Sequence, residues 1–280
     1  MSSLLMLSIA SGSSGNATYI GDEYSGVLID CGASTKRIMR TMDNALPQAK
    51  IQAVFVTHEH SDHIASAAIL ERKLTERYGK SIPFYMSRGT YFGALENKPQ
   101  CLPKNIHYVV DGDTVEVEQF TVEGFWVPHD VVEPLAFRVT NGDARAAVVT
   151  DLGHCPMSVL NKLRGVSLLS FEFNHDVDML NSSTRYPQRT KDRIWGPYGH
   201  LSNEQACEAL SRIASPMLEH VILAHISENN NSSELALHAA EQALATHSWS
   251  NEIQLHLGLH RQALPVLRVS NFESAPSATA

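Results

Sequence analysis

A cluster of histidines directly after a buried strand constrains this chain more than any other sequence feature. The apolar run 51–56 is short and rich in β-branched and aromatic residues, which predicts a buried β-strand. It is followed at once by Thr57–His63, where three histidines and an aspartate fall within six residues. Imidazole and carboxylate groups suit zinc and similar divalent ions. Four such side chains this close together cannot all point at one ion, so the spacing indicates two adjacent metals.

Four further positions extend this pattern along the chain. Asp30 and Asp151 each follow a predicted strand, and so do His129 and His225. In this order, and together with the histidine cluster, they resemble the signature of the metallo-β-lactamase fold superfamily from near residue 5 to near residue 270. The resemblance implies an α/β (α+β) fold, a four-layer αββα sandwich in which two sheets pack face to face with helices outside. The metal ligands would lie on loops at one edge of the sandwich.

The same resemblance implies a role for each metal-binding residue. The ligands it assigns are His58, His60 and His129 for the first ion, Asp62, His63 and His225 for the second, and Asp151 as a bridge. The expected cofactor is therefore two divalent metal ions, with zinc first and manganese or iron as alternatives. A metal lowers the pKa of its bound water to about 7, so hydroxide is available for hydrolysis. Asp62 and His200 are the predicted catalytic residues.

His200 belongs to a second motif, Gly199–Ala206, which resembles a motif of ribonuclease Z and its relatives. In those enzymes a histidine just before a helix sits beside the metals and assists departure of the leaving oxygen. Ser202 and Gln205 form a capping-box pattern, so a helix is expected to begin there and to reach about residue 214. Because a helix N-terminus favours anions, Ser202 is placed among the substrate-binding residues. The alternative interpretation is an ordinary helix start with a surface histidine.

Several segments resemble one subgroup, the WalJ/YycJ-type bacterial cytoplasmic hydrolases linked to DNA exonuclease activity. These segments are 11–18, 57–63, 172–176, 199–203 and 225–230. A stretch at 185–194 also resembles theirs and concentrates four positive charges in a chain of formal net charge −8. Arg and Lys side chains neutralise phosphates, which drives sequence-independent binding of nucleic acid.

Predicted substrate-binding residues come from these segments. They are His175, Arg185, Lys191, Arg193 and Ser202, with Arg189 as a further phosphate contact and Tyr186 and Trp195 as side chains on which bases stack. For His175 two interpretations stay open, a place in the site or a hydrogen-bonded position in the core. For the basic stretch the alternative is a solvated charged loop.

Two features narrow the expected reaction. β-Lactamases of this fold usually have a cysteine where this chain has Asp151, and they are secreted, so β-lactam hydrolysis is not expected. The segments between His129 and Asp151 and between Asp151 and His225 are too short for a tRNA-gripping arm or a ribonuclease J-like extra domain. The sequence therefore favours a compact phosphodiesterase with a nucleic acid substrate, DNA rather than RNA. The alternatives are a glyoxalase II-type thioesterase and a metal-bound regulatory module without turnover.

Composition is typical of a globular enzyme, with 280 residues of which 43% are hydrophobic and 19% charged. The four cysteines are scattered and the N-terminus lacks signal-peptide features, so a cytoplasmic location is expected. No apolar run approaches the roughly 20 residues of a membrane span, so no membrane partner is expected. One domain is predicted over residues 1–272, followed by a flexible tail at 273–280.

Local patterns predict where several elements begin and end. Ser34 is expected to cap a helix that reaches about residue 45. A single helix is expected over about 64–77, before Gly79, and 181–199 is predicted to be a polar, basic loop. A late strand is expected near 264–269.

Overall fold

Strands that are buried on both faces determine the layers of this fold. In the computed structural model, which describes residues 4–245, 247 and 252–269, fourteen strands of the described chain form two seven-stranded sheets. The sheets pack face to face, and helices pack on both outer faces. The predicted four-layer αββα arrangement is therefore confirmed.

The first sheet and its helices come mostly from the N-terminal half of the chain. Its strands are β1 Leu5–Ala10, β2 Ala17–Gly21, β3 Ser25–Ile29, β4 Lys50–Phe55, β5 Phe84–Met86 and β6 Ile106–Tyr108. Its helices are α1 Thr35–Ala45, α2 Ser61–Ile64, α3 Ala67–Tyr78 and α4 Arg88–Asn97, followed by a 3₁₀ turn at Pro99–Cys101.

The second sheet and its helices follow, and the last strand returns to the first sheet. The strands are β7 Thr114–Val117, β8 Phe120–Trp126, β9 Leu135–Asn141, β10 Ala144–Val149, β11 Leu168–Glu172, β12 His220–Ala224, β13 Gln254–Leu257 and β14 Leu267–Arg268. The helices are α5 Met157–Lys162, α6 Val177–Ser182, α7 Gln188–Trp195, α8 Asn203–Ile213 and α9 Ser233–Leu244.

Three apolar clusters hold the layers together. Between the sheets, Phe55 of the first packs against Phe137 of the second, with ring centroids 5.2 Å apart. Outside the first sheet, alternate strand residues pack against α1 and α3, and outside the second they pack against α8 and α9. Because successive side chains of a strand point to opposite faces, each strand contributes to two clusters. Burial of apolar surface on both faces is what stabilises the sandwich.

Strand direction places one set of loops at a common edge. The order is β14-β1-β2-β3-β4-β5-β6 in the first sheet, antiparallel as far as β3 and parallel from there on. The second sheet, β7-β8-β9-β10-β11-β12-β13, is antiparallel as far as β10 and parallel beyond it. The carboxyl ends of parallel strands meet at one edge, which is where α/β sheets bind ligands.

Some local expectations are confirmed and others need correction. Ser34 caps α1, and Gly79 ends α3 with a left-handed φ of 70°. The single helix expected over 64–77 is two helices, because the chain turns at Ser66, whose N–H donates to the Cys31 carbonyl. The predicted basic loop at 181–199 contains the helix α7, which follows Pro187 and ends before Gly196.

The predicted terminal features are only partly described. The late strand expected near 264–269 is the two-residue β14. The expected tail at 273–280 lies outside the described residues, and the single-domain boundary at 272 stays a prediction. No helix in the described ranges combines the length and the apolar character that crossing a membrane requires.

Candidate metal centre

Three side chains at the common edge follow strands in a strained backbone conformation. Asp30 after β3, Asp151 after β10 and His225 after β12 have φ values of 60°, 60° and 55°. This left-handed region is unfavourable for residues other than glycine and costs on the order of 1–3 kcal/mol. Such strain persists where the surrounding structure holds it, and here it accompanies three polar side chains that are 5% exposed or less.

The first cluster at this edge contains three imidazoles. His60 Nδ1 lies 3.0 Å from His58 Nε2 and 3.3 Å from His129 Nε2. Burial above all lowers the pKa values of these three histidines, that of His60 to about 4, so the rings are neutral at pH 7. Neutral imidazoles are the form that binds metals.

The second cluster contains carboxylates and two more imidazoles. The Asp62 Oδ2 atom lies 3.5 Å from His63 Nε2 and 3.4 Å from His225 Nε2. Asp151 stands between the clusters, with Oδ2 3.1 Å from His63 Nε2 and Oδ1 3.6 Å from His225 Nε2. The ligand atoms of His58, His63 and Asp151 also lie within 4.8 Å of one another. All seven predicted metal ligands are therefore brought together at one place.

Buried partners orient the ligands from behind. Asp30 accepts hydrogen bonds from His63 Nδ1 at 2.7 Å, from the Thr57 N–H at 2.9 Å and from the Thr57 hydroxyl at 3.0 Å. Because that hydroxyl donates to Asp30, it can accept from His58 Nδ1, which lies 3.0 Å away. The Asn16 amide lies 3.0 Å from His63 Nε2. The sequence pattern included Asp30 but assigned it no role in the site.

Glu172 is a site residue that the sequence analysis missed. It is the last residue of β11, it is fully buried, and it lies 2.8 Å from His200 Nδ1 and 3.3 Å from His225 Nδ1. It also accepts hydrogen bonds from the N–H groups of Leu152 and Leu201. A carboxylate at the end of a predicted buried strand was the available signal, since such a group stays buried only when it is well paired.

The donor set fits two divalent ions. The Gly199 carbonyl lies 3.2 Å from His129 Nδ1. Because a carbonyl only accepts hydrogen bonds, Nδ1 carries the proton of the neutral ring, and Nε2 carries the lone pair. That lone pair points at His60 Nδ1, as does His58 Nε2, and a single proton on His60 Nδ1 could be donated to only one of these two nitrogens. Among the described residues, the buried Asp151 Oδ2 makes no regular hydrogen bond and has only His63 Nε2, 3.1 Å away, as an ion-pair contact. Converging acceptors of this kind are unfavourable without a cation, and the donor types suit zinc and related metals.

His200 stands at the rim of the cluster. Its ring lies 5.4 Å from those of His129 and His225, and its side chain is 19% exposed. Burial lowers the pKa of His200, but the Glu172 and Asp151 carboxylates together more than offset this effect, and the net shift is upward. The preceding Gly199 cannot carry a side chain, because a Cβ there would lie 2.2 Å from two carbonyl oxygens at the end of α7.

The predicted basic side chains lie on and before α7, and three of them, Arg185, Lys191 and Arg193, have a partner in the fold. Arg193 is paired with Asp130, which follows His129 in the chain. Arg185 donates to Asn229 Oδ1 at 2.7 Å, and Lys191 donates to the Asn181 carbonyl at 2.7 Å. All three are nevertheless at least partly exposed. The helix thus presents positive charge beside the loop that carries His129.

Ser202 and His175 meet in an isolated β-bridge behind His200. Ser202 is 4% exposed, and its hydroxyl accepts from the Gln205 N–H, which completes the predicted capping box. His175 is 1% exposed and its ring lies 6.1 Å from that of Trp195. Among the described residues neither ring nitrogen of His175 has a hydrogen-bond partner, so the hydrogen-bonded core role is not what the structure shows.

Comparisons with known proteins agree with this geometry. The profile of the beta-lactamase superfamily domain matches residues 26–226. A relative from Bacillus anthracis named Exodeoxyribonuclease YycJ is 34% identical over 238 residues, which cover 84% of this chain and 87% of the relative. Exodeoxyribonuclease WalJ from Streptococcus pneumoniae is 33% identical over 232 residues, or 81% of this chain and 83% of the relative.

A solved structure supports the fold independently. The metallo-beta-lactamase fold protein YhfI from Bacillus subtilis matches with a TM-score of 0.69 over 94% of this chain and 99% of that chain, at 15% identity. Identity this low is evidence for the shared fold alone. The fold, the profile match and the two relatives confirm the resemblance predicted from the sequence. The chain belongs to the beta-lactamase superfamily and, within it, to the family of YycJ and WalJ.

Proposed function

We propose that this metal-dependent hydrolase is an exonuclease that cleaves phosphodiester bonds of DNA. Two relatives named exodeoxyribonucleases, each aligned over more than four fifths of this chain, support the proposal. The observation that carries it is the position of His200, at the rim of the histidine and aspartate clusters and fixed by Glu172. A protonated imidazole there can reach the leaving oxygen of a substrate whose phosphate lies over the clusters.

The metal ligands in this proposal are the seven residues expected from the sequence. His58, His60 and His129 would hold one ion, Asp62, His63 and His225 would hold the other, and Asp151 would be shared between them. We propose zinc, because imidazole and carboxylate donors suit it, with manganese or iron as alternatives. When bound, such ions polarise a phosphoryl oxygen and make hydroxide available near neutral pH.

Protein groups provide the remaining chemistry. Glu172 holds His200 Nδ1 and so directs the other nitrogen, Nε2, away from the buried strand end, where it can donate a proton to the leaving oxygen. Asp62, the second proposed catalytic residue, has a partly exposed carboxylate between His63 and His225 and can accept a proton from the attacking water. His175, Arg185, Lys191, Arg193 and Ser202 are the proposed substrate-side residues.

The proposal includes a cytoplasmic location. All four cysteines are free thiols, which agrees with a reducing compartment. DNA is present in the same compartment in bacteria, the source of the two relatives.

A substrate comparison tests the reaction class. Purified protein is incubated with labelled linear DNA, RNA and a thioester, each with and without a chelator. We expect chelator-sensitive cleavage of DNA, faster than that of RNA, and no thioester hydrolysis. Preferential cleavage of the thioester would instead favour the glyoxalase II-type alternative.

His200→Ala tests the assignment of the general acid. General acid catalysis contributes on the order of 10²–10⁴ in rate, and it matters most for a poor leaving group such as a sugar alkoxide. We therefore expect the variant to slow DNA cleavage far more than cleavage of bis-nitrophenyl phosphate, whose nitrophenolate leaves without protonation. Metal content should not change, and His238→Ala, on the exposed face of α9, is the matched control. Equal losses on both substrates would rule out the leaving-group role.

A further inference from the structure

A small cleft of about 130 Å³ opens beside the candidate metal centre. His200 and His225 line its inner end. One wall is the segment 177–195, and the facing wall is the loop 226–231 after β12. Sites that enclose a whole small molecule usually measure roughly 300–1,000 Å³, so this smaller cleft suits one part of a nucleotide, its base.

The two walls differ in chemistry. Tyr186 and Ile194 offer a flat, largely apolar surface, and Ser227 and Asn230 offer polar groups. Asn230 is 2% exposed, and among the described residues its buried Oδ1 atom has no hydrogen-bond partner. A buried polar atom of this kind normally has a partner, which here a ligand would provide. A nucleobase matches both walls, because its face stacks on an aromatic ring and its edge carries hydrogen-bond donors.

Hydrogen bonds join the two walls next to Tyr186 and Asn230. Asn229 Nδ2 donates to the Tyr186 hydroxyl at 3.0 Å, and Asn229 Oδ1 accepts from Arg185 at 2.7 Å. The backbone N–H of Asp176 donates to the Asn230 carbonyl at 2.8 Å. A polynucleotide cannot thread through a cleft whose walls are joined in this way. A strand would have to enter with a free end.

We propose that this cleft binds the base of the terminal nucleotide of the DNA strand, with its face against Tyr186 and its edge at Asn230, and that the joined walls close one end of the cleft, so that the enzyme acts from chain ends. The proposal rests on the nuclease function proposed above and adds a reason for exonucleolytic cleavage. Asn229 is a positioning residue in this arrangement, because it acts through Tyr186 and Arg185. In this arrangement the positively charged side chain of Arg185, which donates to Asn229, meets the terminal phosphate.

Nucleotide binding tests the cleft without any need for turnover. Titration calorimetry of the metal-loaded protein measures the affinities for 5′-dAMP, 3′-dAMP and inorganic phosphate. The ratio of a deoxyadenylate affinity to the phosphate affinity reports how much the nucleoside part contributes to binding. Base stacking on an aromatic side chain corresponds to a loss on the order of 5- to 150-fold when the side chain is replaced by Ala. We expect Tyr186→Ala to lower the ratio by that factor, and Tyr186→Phe, which keeps the ring, to retain most of it.

The controls separate a binding effect from a folding effect. Tyr24→Ala removes an exposed ring from the β2–β3 turn and should leave the ratio unchanged. Inorganic phosphate should bind all variants alike, because its contacts do not include Tyr186. If neither deoxyadenylate binds the native protein more tightly than phosphate does, the cleft does not hold a nucleotide.

A circular substrate tests whether the enzyme needs a free strand end. A linear single-stranded oligodeoxynucleotide and the same sequence ligated into a circle are compared as substrates. We expect mononucleotides from the linear form and no cleavage of the circle. Equal cleavage of both forms would overturn the closed-end proposal and leave a phosphodiesterase in place. Cleavage of neither form, with Tyr186-dependent binding of dAMP intact, would reject the proposed nuclease function and support the cleft.

Discussion

At the scale of single residues, the candidate centre depends on buried groups that contact the proposed ligands from outside. Asp30 is the clearest case, because it accepts from His63 Nδ1 and from two groups of Thr57. A carboxylate on one ring nitrogen fixes the tautomer and leaves the lone pair on the other. Because Asp30 holds Nδ1, the other nitrogen of His63, Nε2, faces Asp62 and Asp151, and this is the atom that a bound metal would take as its ligand.

Asp30→Asn should weaken metal binding without removing a ligand. Loss of such an outer partner typically costs 10- to 100-fold in metal affinity. The measurement is a zinc titration against a competing chelator, with Asp143→Asn in the exposed β9–β10 turn as the control. Unchanged affinity in Asp30→Asn would show that Asp30 does not determine the orientation of His63.

At the scale of secondary-structure elements, the N-terminus of α8 holds the motif that carries His200. The Ser202 hydroxyl accepts from the Gln205 N–H at 3.2 Å, and the Gln205 side chain accepts from the Ser202 N–H at 3.0 Å. This reciprocal pair satisfies two donors of the first helical turn. The capping role and a substrate-binding role for Ser202 lead to different expectations.

Ser202→Ala should lower the free energy of unfolding by about 0.5–2 kcal/mol, the usual cost of losing an N-cap hydroxyl. Urea denaturation followed by circular dichroism measures the change, and Ser202→Thr, which keeps the hydroxyl, should recover most of the stability. Unchanged stability together with weaker DNA binding would instead favour the substrate-binding role.

The helix α7 presents the basic charges, although none of its residues is buried. Arg193 is paired with Asp130, which reduces its net charge towards a phosphate. Arg189 and Lys191 lie on the same helix without an acidic partner among the ion pairs of the described residues. These two side chains are therefore the better candidates for phosphate contacts.

Replacing Arg189 and Lys191 by Gln should weaken binding to all DNA sequences alike. The slope of log affinity against log salt should become flatter by about 0.7 for each lost contact with single-stranded DNA, because fewer counterions are released. Fluorescence anisotropy at several salt concentrations measures the slope. Lys73→Gln on the exposed face of α3 is the control. An unchanged slope in the double variant would show that these α7 side chains are solvated and do not contact the phosphates.

At the scale of the whole molecule, the candidate centre joins the two halves of the sandwich. His58, His60, Asp62 and His63 come from the part of the chain that forms the first sheet. His129, Asp151 and His225 come from the part that forms the second. Ions held by both groups would bind the folded chain and not the unfolded one, and so would stabilise the entire fold.

Metal removal should therefore lower the melting temperature of the whole protein. At a free metal concentration of 100 times Kd, one site contributes about 2.7 kcal/mol of stability. Scanning calorimetry with and without a chelator measures the shift, and elemental analysis should approach two equivalents per chain. Asp151→Ala should reduce both sites, since that residue bridges them. Two retained equivalents in this variant would contradict the bridging role.

Much of this architecture follows from local sequence patterns. Short apolar runs rich in β-branched and aromatic residues predict strands, and Ser34 and Ser202 mark helix starts because their side chains satisfy free N–H groups nearby. The seven proposed ligands can be read from the chain because each follows a strand or lies in the histidine cluster. These features depend on neighbours close in sequence, and periodicity and capping report such neighbours directly.

Other features depended on residues that only folding brings together. Glu172 touches His200 and His225, and Asn229 pairs with Arg185 across 44 positions of the chain. The α7 segment reads as a polar loop because it buries no residue, yet its carbonyl groups approach Gly199 and Arg193 pairs with Asp130. A local sequence pattern gives no information about contacts between residues that are far apart in the chain. The sequence therefore determined the layers and the candidate ligands, and the tertiary structure decided which buried partners orient them and where the cleft is closed.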